Sequence, residues 1–239
     1  MPVQFTRYLY SKDQVVDSFR KALIERRKDA ALFWVYELYF SGFVEEAWTT
    51  VNEMYALYWE TVNPRLRKHL EDRTKGGDAR IGSMVLTLCI REPNLREPNL
   101  REPNLREPNL REPNLRDPSS QQNNEKFVFT LSEKALSAYK TVDPTSCKYK
   151  YRYLERVTTH AVSNTEQNLD LNTAFLGGNW TKYCMETPYW RTILDSFQIL
   201  EDLLQNKVDE DQMEQFYEMY GYEPEEQTVE VERAHGVFL

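Results

Sequence analysis

The stretch ALFWVYELYF, residues 31–40, has nine apolar or aromatic side chains among its ten. As a helix it is about 15 Å long, which is too short to cross a membrane. A helix that is apolar on all sides belongs inside a protein, with other elements packed around it. Ser41-Gly42 follows, and glycine is the favoured residue just past a helix end. The stretch therefore predicts a central buried helix in which Glu37 is the one charged residue.

The composition sets limits on the class of protein. The chain has 239 residues, of which 41% are hydrophobic and 28% are charged, as in ordinary globular proteins. Its net charge of −8 argues against duplex-DNA binding, which depends mainly on basic residues at phosphates. No apolar run approaches 18 residues, so we expect no membrane span. The three cysteines lack CxxC spacing, which suggests free buried thiols in a reducing compartment.

The segments around the aromatic stretch have helical spacing. Ser11-Lys12-Asp13-Gln14 predicts a capping box at the start of a first helix. A third helix is expected from about Val44 to Val62, and Asn63-Pro64 then ends it and begins a fourth. Asp78 is expected to cap a fifth helix, whose predicted inward-facing residues are Ile81, Met84, Val85 and Leu88.

A short repeat follows the fifth predicted helix. Arg-Glu-Pro-Asn-Leu occurs five times without error, from Arg91 to Leu115. Proline at every fifth position excludes a regular helix and a central strand. We interpret the segment as an extended or turn-rich excursion between two helices. The alternative is a binding arm that presents leucine at fixed intervals, and the partner surface would then include Leu95, Leu100, Leu105, Leu110 and Leu115.

The second half resumes with an alternating segment. Residues 126–131 alternate in a strand-like way, and Ser132 is expected to cap the helix that follows. Thr145 or Ser146 is expected to begin a helix that carries Tyr149 and Tyr153. Thr187-Pro188 predicts the start of another helix, and Asp209 is expected to cap the last one. The longest apolar stripe follows Pro188 and consists of Trp190, Ile193, Leu194, Phe197, Leu200 and Leu204.

These segments together predict an all-α fold. We expect an irregular bundle of short antiparallel helical hairpins, with the proline-containing pentapeptide repeat as an insertion. The predicted organisation has two helical halves, residues 1–90 and 126–222, packed as one domain. Residues 91–125 form the repeat excursion and its polar linker, and residues 223–239 form a tail.

Three segments carry a resemblance to a known family. They are Pro2 to Tyr10 (PVQFTRYLY), Ala31 to Phe43 (ALFWVYELYFSGF) and Phe216 to Gln227 (FYEMYGYEPEEQ). Together they resemble a family of uncharacterised proteins in nucleocytoplasmic large DNA viruses, the giant viruses of algae and protists. The similarity covers both flanks of the repeat. The resemblance implies a viral protein located in the virion or in the host cytoplasm, at the viral factory. It implies no activity and no site residues.

The residue pattern predicts no catalytic, cofactor-binding or metal-binding residue. The histidines His69, His160 and His235 have no Cys or carboxylate at metal-ligand spacing. Motifs for phosphate binding or for an activated nucleophile are also missing from the sequence. The best candidate for nucleic-acid contact is the basic, aromatic group Lys148, Lys150, Tyr151 and Arg152, because rings stack on bases while cations contact phosphates.

These observations favour a non-enzymatic helical interaction or scaffold protein of a large DNA virus. It would be a minor structural component of the virion or an assembly factor, with viral proteins or further copies of itself as partners. The alternative hypothesis is a nucleic-acid-associated accessory factor, for example in viral transcription. The two differ in whether the basic, aromatic group binds single-stranded nucleic acid at low salt.

Overall fold

The computed structural model of the protein describes residues 4–71, 76–95, 128–140, 180–205, 207 and 210–220. Within these ranges the chain is all-α and contains no β-strand. One isolated antiparallel bridge pairs Phe5 with Ser11. The predicted fold class, an irregular bundle of short helical hairpins, is confirmed.

Ten α-helices make up the described part of the chain. Connections of a few residues join α1 to α2 and α2 to α3, so consecutive helices pack as neighbours. A 3₁₀ turn at Pro64–Leu66 leads directly into α4. In chain order the helices are α1 (Lys12–Ile24), α2 (Lys28–Phe40), α3 (Val44–Tyr58), α4 (Arg67–Glu71), α5 (Ala79–Cys89), α6 (Glu133–Lys140), α7 (Trp180–Cys184), α8 (Pro188–Ser196), α9 (Leu200–Gln205) and α10 (Glu210–Tyr220).

The aromatic helix α2 lies at the centre of the larger of two apolar cores, as its sequence predicts. It packs against α1, α3, α5 and α6. Trp34 is 1% exposed, and Val35 and Tyr36 are fully buried. Neighbouring rings meet edge to face, for example Trp34 with Tyr10 at 5.2 Å between centroids, an arrangement that aromatic quadrupoles favour. All four residues predicted to face inward from α5 are buried as well.

Glu37, the charged residue within the aromatic stretch of α2, is fully buried, and its partner is Arg7. The Arg7 Nε donates to Glu37 Oε2 over 2.8 Å, and Arg7 itself is 2% exposed. The other carboxylate oxygen accepts the backbone N–H of Tyr8 at 2.9 Å. The guanidinium also lies 5.3 Å from the ring centroid of Phe40. Glu37 therefore fixes the N-terminal turn onto α2.

That N-terminal turn also joins the two cores. The smaller core contains Phe5 and Leu9 from the turn, together with apolar residues of α7 to α10. The indole of Trp190 donates to the Thr6 carbonyl at 2.9 Å, and the Thr187 hydroxyl donates to the Phe5 carbonyl at 2.6 Å. Residues 4–11 thus bind the larger core through Arg7 and the smaller core through Thr6 and its neighbours.

Three sequence expectations about element boundaries are wrong. Helix α3 ends at Tyr58 because Trp59 turns into the core, and Val62 is consequently 53% exposed. The stripe after Pro188 is split between α8 and α9, and Leu204 is 59% exposed while Leu203 is buried. Residues 128–131 form no strand, because the partners of this segment are helix hydroxyls.

The break between α8 and α9 has a recognisable geometry. Gln198 has φ +60°, its N–H donates to the Asp195 carbonyl, and the Ile199 N–H donates to the Leu194 carbonyl. This is the Schellman ending, in which a left-handed residue closes a helix. The same pattern ends α1 at Arg26 and α2 at Gly42. Only one of the three endings carries the glycine that marks such a site in a sequence.

The predicted caps are partly correct. Ser132 Oγ accepts the N–H of Ala135 at 3.2 Å and caps α6 as expected. Ser11 and Asp78 precede α1 and α5, but neither side chain makes a capping hydrogen bond. The Asp78 carboxylate instead accepts the hydroxyl of Tyr39 and pairs with Lys140. The expected cap at Asp209 and the helix that would carry Tyr149 and Tyr153 lie outside the described residues.

Candidate interaction surface

The first copy of the repeat, residues 91–95, is held against the ends of two helices. Asn94 donates its backbone N–H to the carbonyl of Tyr58, the last residue of α3, at 2.6 Å. Its side-chain amide donates to Thr61 Oγ1 at 3.1 Å. Arg91 donates to the Thr87 carbonyl in the last turn of α5 at 2.7 Å. These carbonyls lack partners within their own helices, and the first repeat unit supplies donors to them.

Two more side chains, those of Trp59 and Arg26, fix the start of the repeat. The Trp59 indole donates to the Arg91 carbonyl at 3.2 Å. Arg26 donates to the carbonyls of Cys89 and Ile90, and its guanidinium lies 3.7 Å from the Glu92 carboxylate. The chain is therefore anchored where it leaves α5 and along the first repeat unit.

The chain returns to α5 after the excursion. Phe129 N–H donates to Thr87 Oγ1 at 3.0 Å, and Leu131 N–H donates to Ser83 Oγ at 2.9 Å. Four residues of helix rise about 6 Å, and two residues of extended chain span about 6.6 Å. The two spacings nearly match, so alternate N–H groups of an extended segment meet hydroxyls one turn apart on the helix.

Thr87 binds both ends of the excursion. Its carbonyl accepts Arg91, and its hydroxyl accepts the N–H of Phe129 while donating to the Ser83 carbonyl. The hydroxyl is also buried within the fold. The described chain therefore ends before residue 96 and resumes at residue 128 with contacts to the same helix residue, and the segment 96–127 between them lies outside the described residues.

Deleting residues 96–115 is expected to stabilise the protein slightly. The deletion shortens the segment between Leu95 and Val128 from 32 to 12 residues and leaves every contact of the base in place. Loop-closure entropy then predicts a gain of roughly 0.9 kcal/mol in the free energy of unfolding. Thermal unfolding of both chains measures this. A loss of more than 2 kcal/mol would contradict a closed base.

Apolar side chains remain exposed beside the anchored repeat unit. Leu95, which ends that unit, is 59% exposed, and Val62, which follows Thr61, is 53% exposed. Leu57, which precedes Tyr58, is 48% exposed. We call Leu57, Val62 and Leu95 the rim. Leu95 is the first leucine of the partner surface expected from the sequence, and the other four, Leu100, Leu105, Leu110 and Leu115, lie outside the described residues.

The candidate nucleic-acid residues cannot be placed on this surface. Lys148, Lys150, Tyr151 and Arg152 all lie outside the described residues. The basic segment at the start of α4 is described, and there Arg67 pairs with Glu60. Arg65 and Lys68 are exposed on the same segment. Contact with nucleic acid therefore stays a prediction.

A second polar cluster links α2, α5 and α6. The Tyr36 hydroxyl donates to the Asp78 carbonyl and the Tyr39 hydroxyl to its carboxylate, each at 3.1 Å. The ring of Tyr139 stacks on that of Tyr36 with centroids 5.0 Å apart. Burial raises the pKa of Tyr36 and of Tyr39, and the Asp78 charge adds to both shifts. These hydroxyls stay protonated and tie the helices together.

Cys89 lines an open depression of about 540 Å³ together with Glu25, Arg26 and Lys28. Cys89 is a free thiol and is 1% exposed. Its burial raises the pKa of the thiol to about 12, although Lys28 and Arg26 act in the opposite direction. Since the thiolate is the nucleophile, this cysteine serves as a packed core residue.

We expect the protein to lose stability above pH 9 partly through Cys89. Between pH 9 and 12 the unfolded thiol releases its proton while the folded thiol keeps it, so rising pH favours unfolding. One such group contributes a slope of up to about 1.4 kcal/mol per pH unit. Denaturant unfolding of wild type and Cys89→Ala at several pH values tests this. The difference between the two chains in the free energy of unfolding at pH 7 is the reference. If that free energy fell with the same slope in both chains above pH 9, the prediction would be contradicted.

Comparisons with known proteins give no assignment. The chain matches no protein-family model, no curated protein and no solved structure. Among the helices described here, none has the length and apolar character needed to span a membrane. In the same part of the chain, no three His, Cys, Asp or Glu side chains come together as metal ligands.

Sequence reasoning missed the residues that hold the base of the excursion. Ser83 and Thr87 are four apart on a helix that was otherwise read by its apolar stripe. Hydroxyls at that spacing often donate only to carbonyls of their own helix. Ser83 and Thr87 make such bonds, and they accept N–H groups of the returning chain in addition. The alternating segment at 126–131 is the one feature of the sequence that could have indicated them. An extended segment needs acceptors for its N–H groups, and helix hydroxyls can supply these when no neighbouring strand is predicted.

Proposed function

We propose that this chain is a non-enzymatic interaction protein of a large DNA virus, acting as a minor virion component or an assembly factor. The viral origin rests on the resemblance carried by residues 2–10, 31–43 and 216–227. One structural observation supports an interaction role: Thr87 binds both the first repeat unit, through Arg91, and the chain that follows the repeat, through the N–H of Phe129.

The anchored unit indicates which of its groups serve the fold and which remain for a partner. Arg91 and Asn94 are directed at helix-end carbonyls, and the carbonyl of Arg91 accepts an indole N–H. Leu95 takes no part in these contacts and is 59% exposed. An exposed leucine beside other exposed apolar side chains is the usual chemistry of a protein-binding surface. The partner is thus expected to be a protein.

Charge favours the same class of partner. Each repeat unit carries one Arg and one Glu, so the five units add no net charge to a chain of net charge −8. A neutral array provides little long-range attraction for nucleic acid, whose binding depends on an excess of cations. It also avoids repulsion of other acidic proteins. The array suits contacts that depend on leucine and on hydrogen bonds.

The test is incorporation into virions. Virus encoding the wild-type chain is compared with virus in which the leucines of the four distal units, Leu100, Leu105, Leu110 and Leu115, are changed to Ser. The matched control changes Asn to Ser in the same four units. We expect wild type and control at structural copy number in purified particles, and the leucine variant at a much lower level. Absence of the wild-type chain from particles and from assembly intermediates would refute the proposal.

A further inference from the structure

Three of the exposed large apolar side chains in the described ranges belong to residues that are next in sequence to one hydrogen-bonded contact. Asn94 bonds to Tyr58 and Thr61, and each of these three residues has an exposed apolar neighbour in sequence, namely the rim residues Leu57, Val62 and Leu95. The hydrogen bonds hold Asn94 between the end of α3 and the turn after it. Each rim residue is therefore joined along the chain to a residue of this contact.

The rim is continuous with the repeat itself. Leu95 is the last residue of the first unit, and the sequence continues with four more copies of the same five residues. Each chain thus carries one rim among its described residues. It also carries four further leucines that are equivalent to Leu95 in the sequence of the repeat. A leucine that packs against leucine and valine removes apolar surface from water. It does so without placing a charge against an apolar side chain.

We propose that a second copy of this chain covers the rim with the leucines of its own repeat. This inference rests on the proposed function and names the partner, a further copy of the same protein. Two copies can exchange repeats reciprocally, so that one pairing makes the same contact twice, as in a two-fold dimer. Several identical units on one tether also raise the effective concentration of leucine near a rim.

Electrostatics permits this pairing at the rim. The net charge of −8 opposes contact between copies at most of the surface. Two carboxylates close in sequence to the rim are neutralised in ion pairs, Glu60 with Arg67 and Glu92 with Arg26. The incoming repeat units are balanced too, with one Arg and one Glu each. Self-association is thus directed to the part of the chain where like charges do not oppose it.

Sedimentation velocity of the full chain tests the proposal. We expect reversible association over micromolar to high micromolar concentrations, about fivefold weaker for Val62→Ser, because a half-exposed valine loses part of its burial energy. Leu204→Ser is the matched control, since Leu204 is 59% exposed and belongs to α9; its association should equal that of wild type. Excess peptide of two repeat units should return wild type to monomer, whereas the same peptide with Ser in place of Leu should not.

The contrary outcomes are equally definite. A chain that stays monomeric at all concentrations, or an association that neither the peptide nor Val62→Ser weakens, overturns the proposal. Circular dichroism and thermal unfolding of Val62→Ser confirm that the variant is folded, since the residue lies outside both cores. A monomeric chain that is still found in virions would overturn this inference and leave the proposed function standing.

Discussion

Arg7→Met is expected to lower the free energy of unfolding by about 3–5 kcal/mol, because it leaves the Glu37 carboxylate buried without its counter-charge. Glu37 is fully buried in α2, and Arg7 is its ion-pair partner at 2.8 Å. Methionine retains most of the length of the arginine side chain and fills the space beside Phe40. The loss is thus expected from charge and hydrogen bonding and only slightly from packing.

Removing both charges should recover only part of that loss. A buried ion pair replaced by apolar residues is often neutral for stability. Here the Glu37 Oε1 also accepts the N–H of the half-buried Tyr8 at 2.9 Å, and a hydrogen bond to a charged group contributes about 1.5–3 kcal/mol. The double variant Arg7→Met with Glu37→Leu should therefore be less stable than wild type by roughly that amount, and more stable than Arg7→Met alone.

Denaturant unfolding of the two single variants and the double variant provides the measurement as a double-mutant cycle. Lys12→Met is the matched control, because Lys12 pairs with Glu46 at the surface, where such a pair contributes up to about 1 kcal/mol. An Arg7→Met loss no larger than that of Lys12→Met would show that the buried pair does not hold the N-terminal turn.

The partner of Glu37 could not be predicted from the sequence. A single carboxylate in an apolar stretch is visible in the sequence, and so is Arg7 in the N-terminal run. Their pairing is invisible, because it depends on a turn whose backbone N–H groups also bind Glu37 and Ser41. Uniform apolar character predicts that α2 is buried, and apolar periodicity predicts the buried face of α5, since burial acts on each side chain separately.

Helix ends were harder to predict than helix faces for a related reason. The α2 ending carries Gly42 at φ +94° and was correctly placed. The endings at Arg26 and Gln198 have the same hydrogen bonds without glycine. Arg26 is then stabilised by the last carbonyls of α5, a tertiary contact that local sequence does not show. The base of the repeat was missed likewise, since its donors and acceptors come from segments distant in sequence.

Trp190→Ala is the second variant for which we expect a large effect, a loss of about 3–5 kcal/mol from the free energy needed to open the smaller core. Trp190 is fully buried and meets Phe216 and Tyr220 edge to face. Its indole also donates to the Thr6 carbonyl at 2.9 Å. Alanine removes the ring contacts, the hydrogen bond and the volume that fills the space between α8 and α10.

The location of the loss matters as much as its size. The larger core makes its own contacts through α1, α2, α3 and α5, and Arg7 still binds Glu37 when the indole is gone. We therefore expect amide protection to fall in α8 to α10 while it persists in α2 and α5. Hydrogen exchange followed by mass spectrometry resolves the two regions.

Trp190→Phe separates the hydrogen bond from the packing. Phenylalanine keeps a ring against Phe216 but removes the indole donor, while the Thr6 carbonyl still accepts the N–H of Leu9, so we expect a loss of about 0.5–1.5 kcal/mol. Trp34→Ala in the larger core is the contrasting variant, and it should reduce protection in both regions, because the turn that completes the smaller core is bound to α2. Were Trp190→Ala to expose α2 and α5 to exchange as fully as Trp34→Ala does, the two cores would have to be treated as a single cooperative unit.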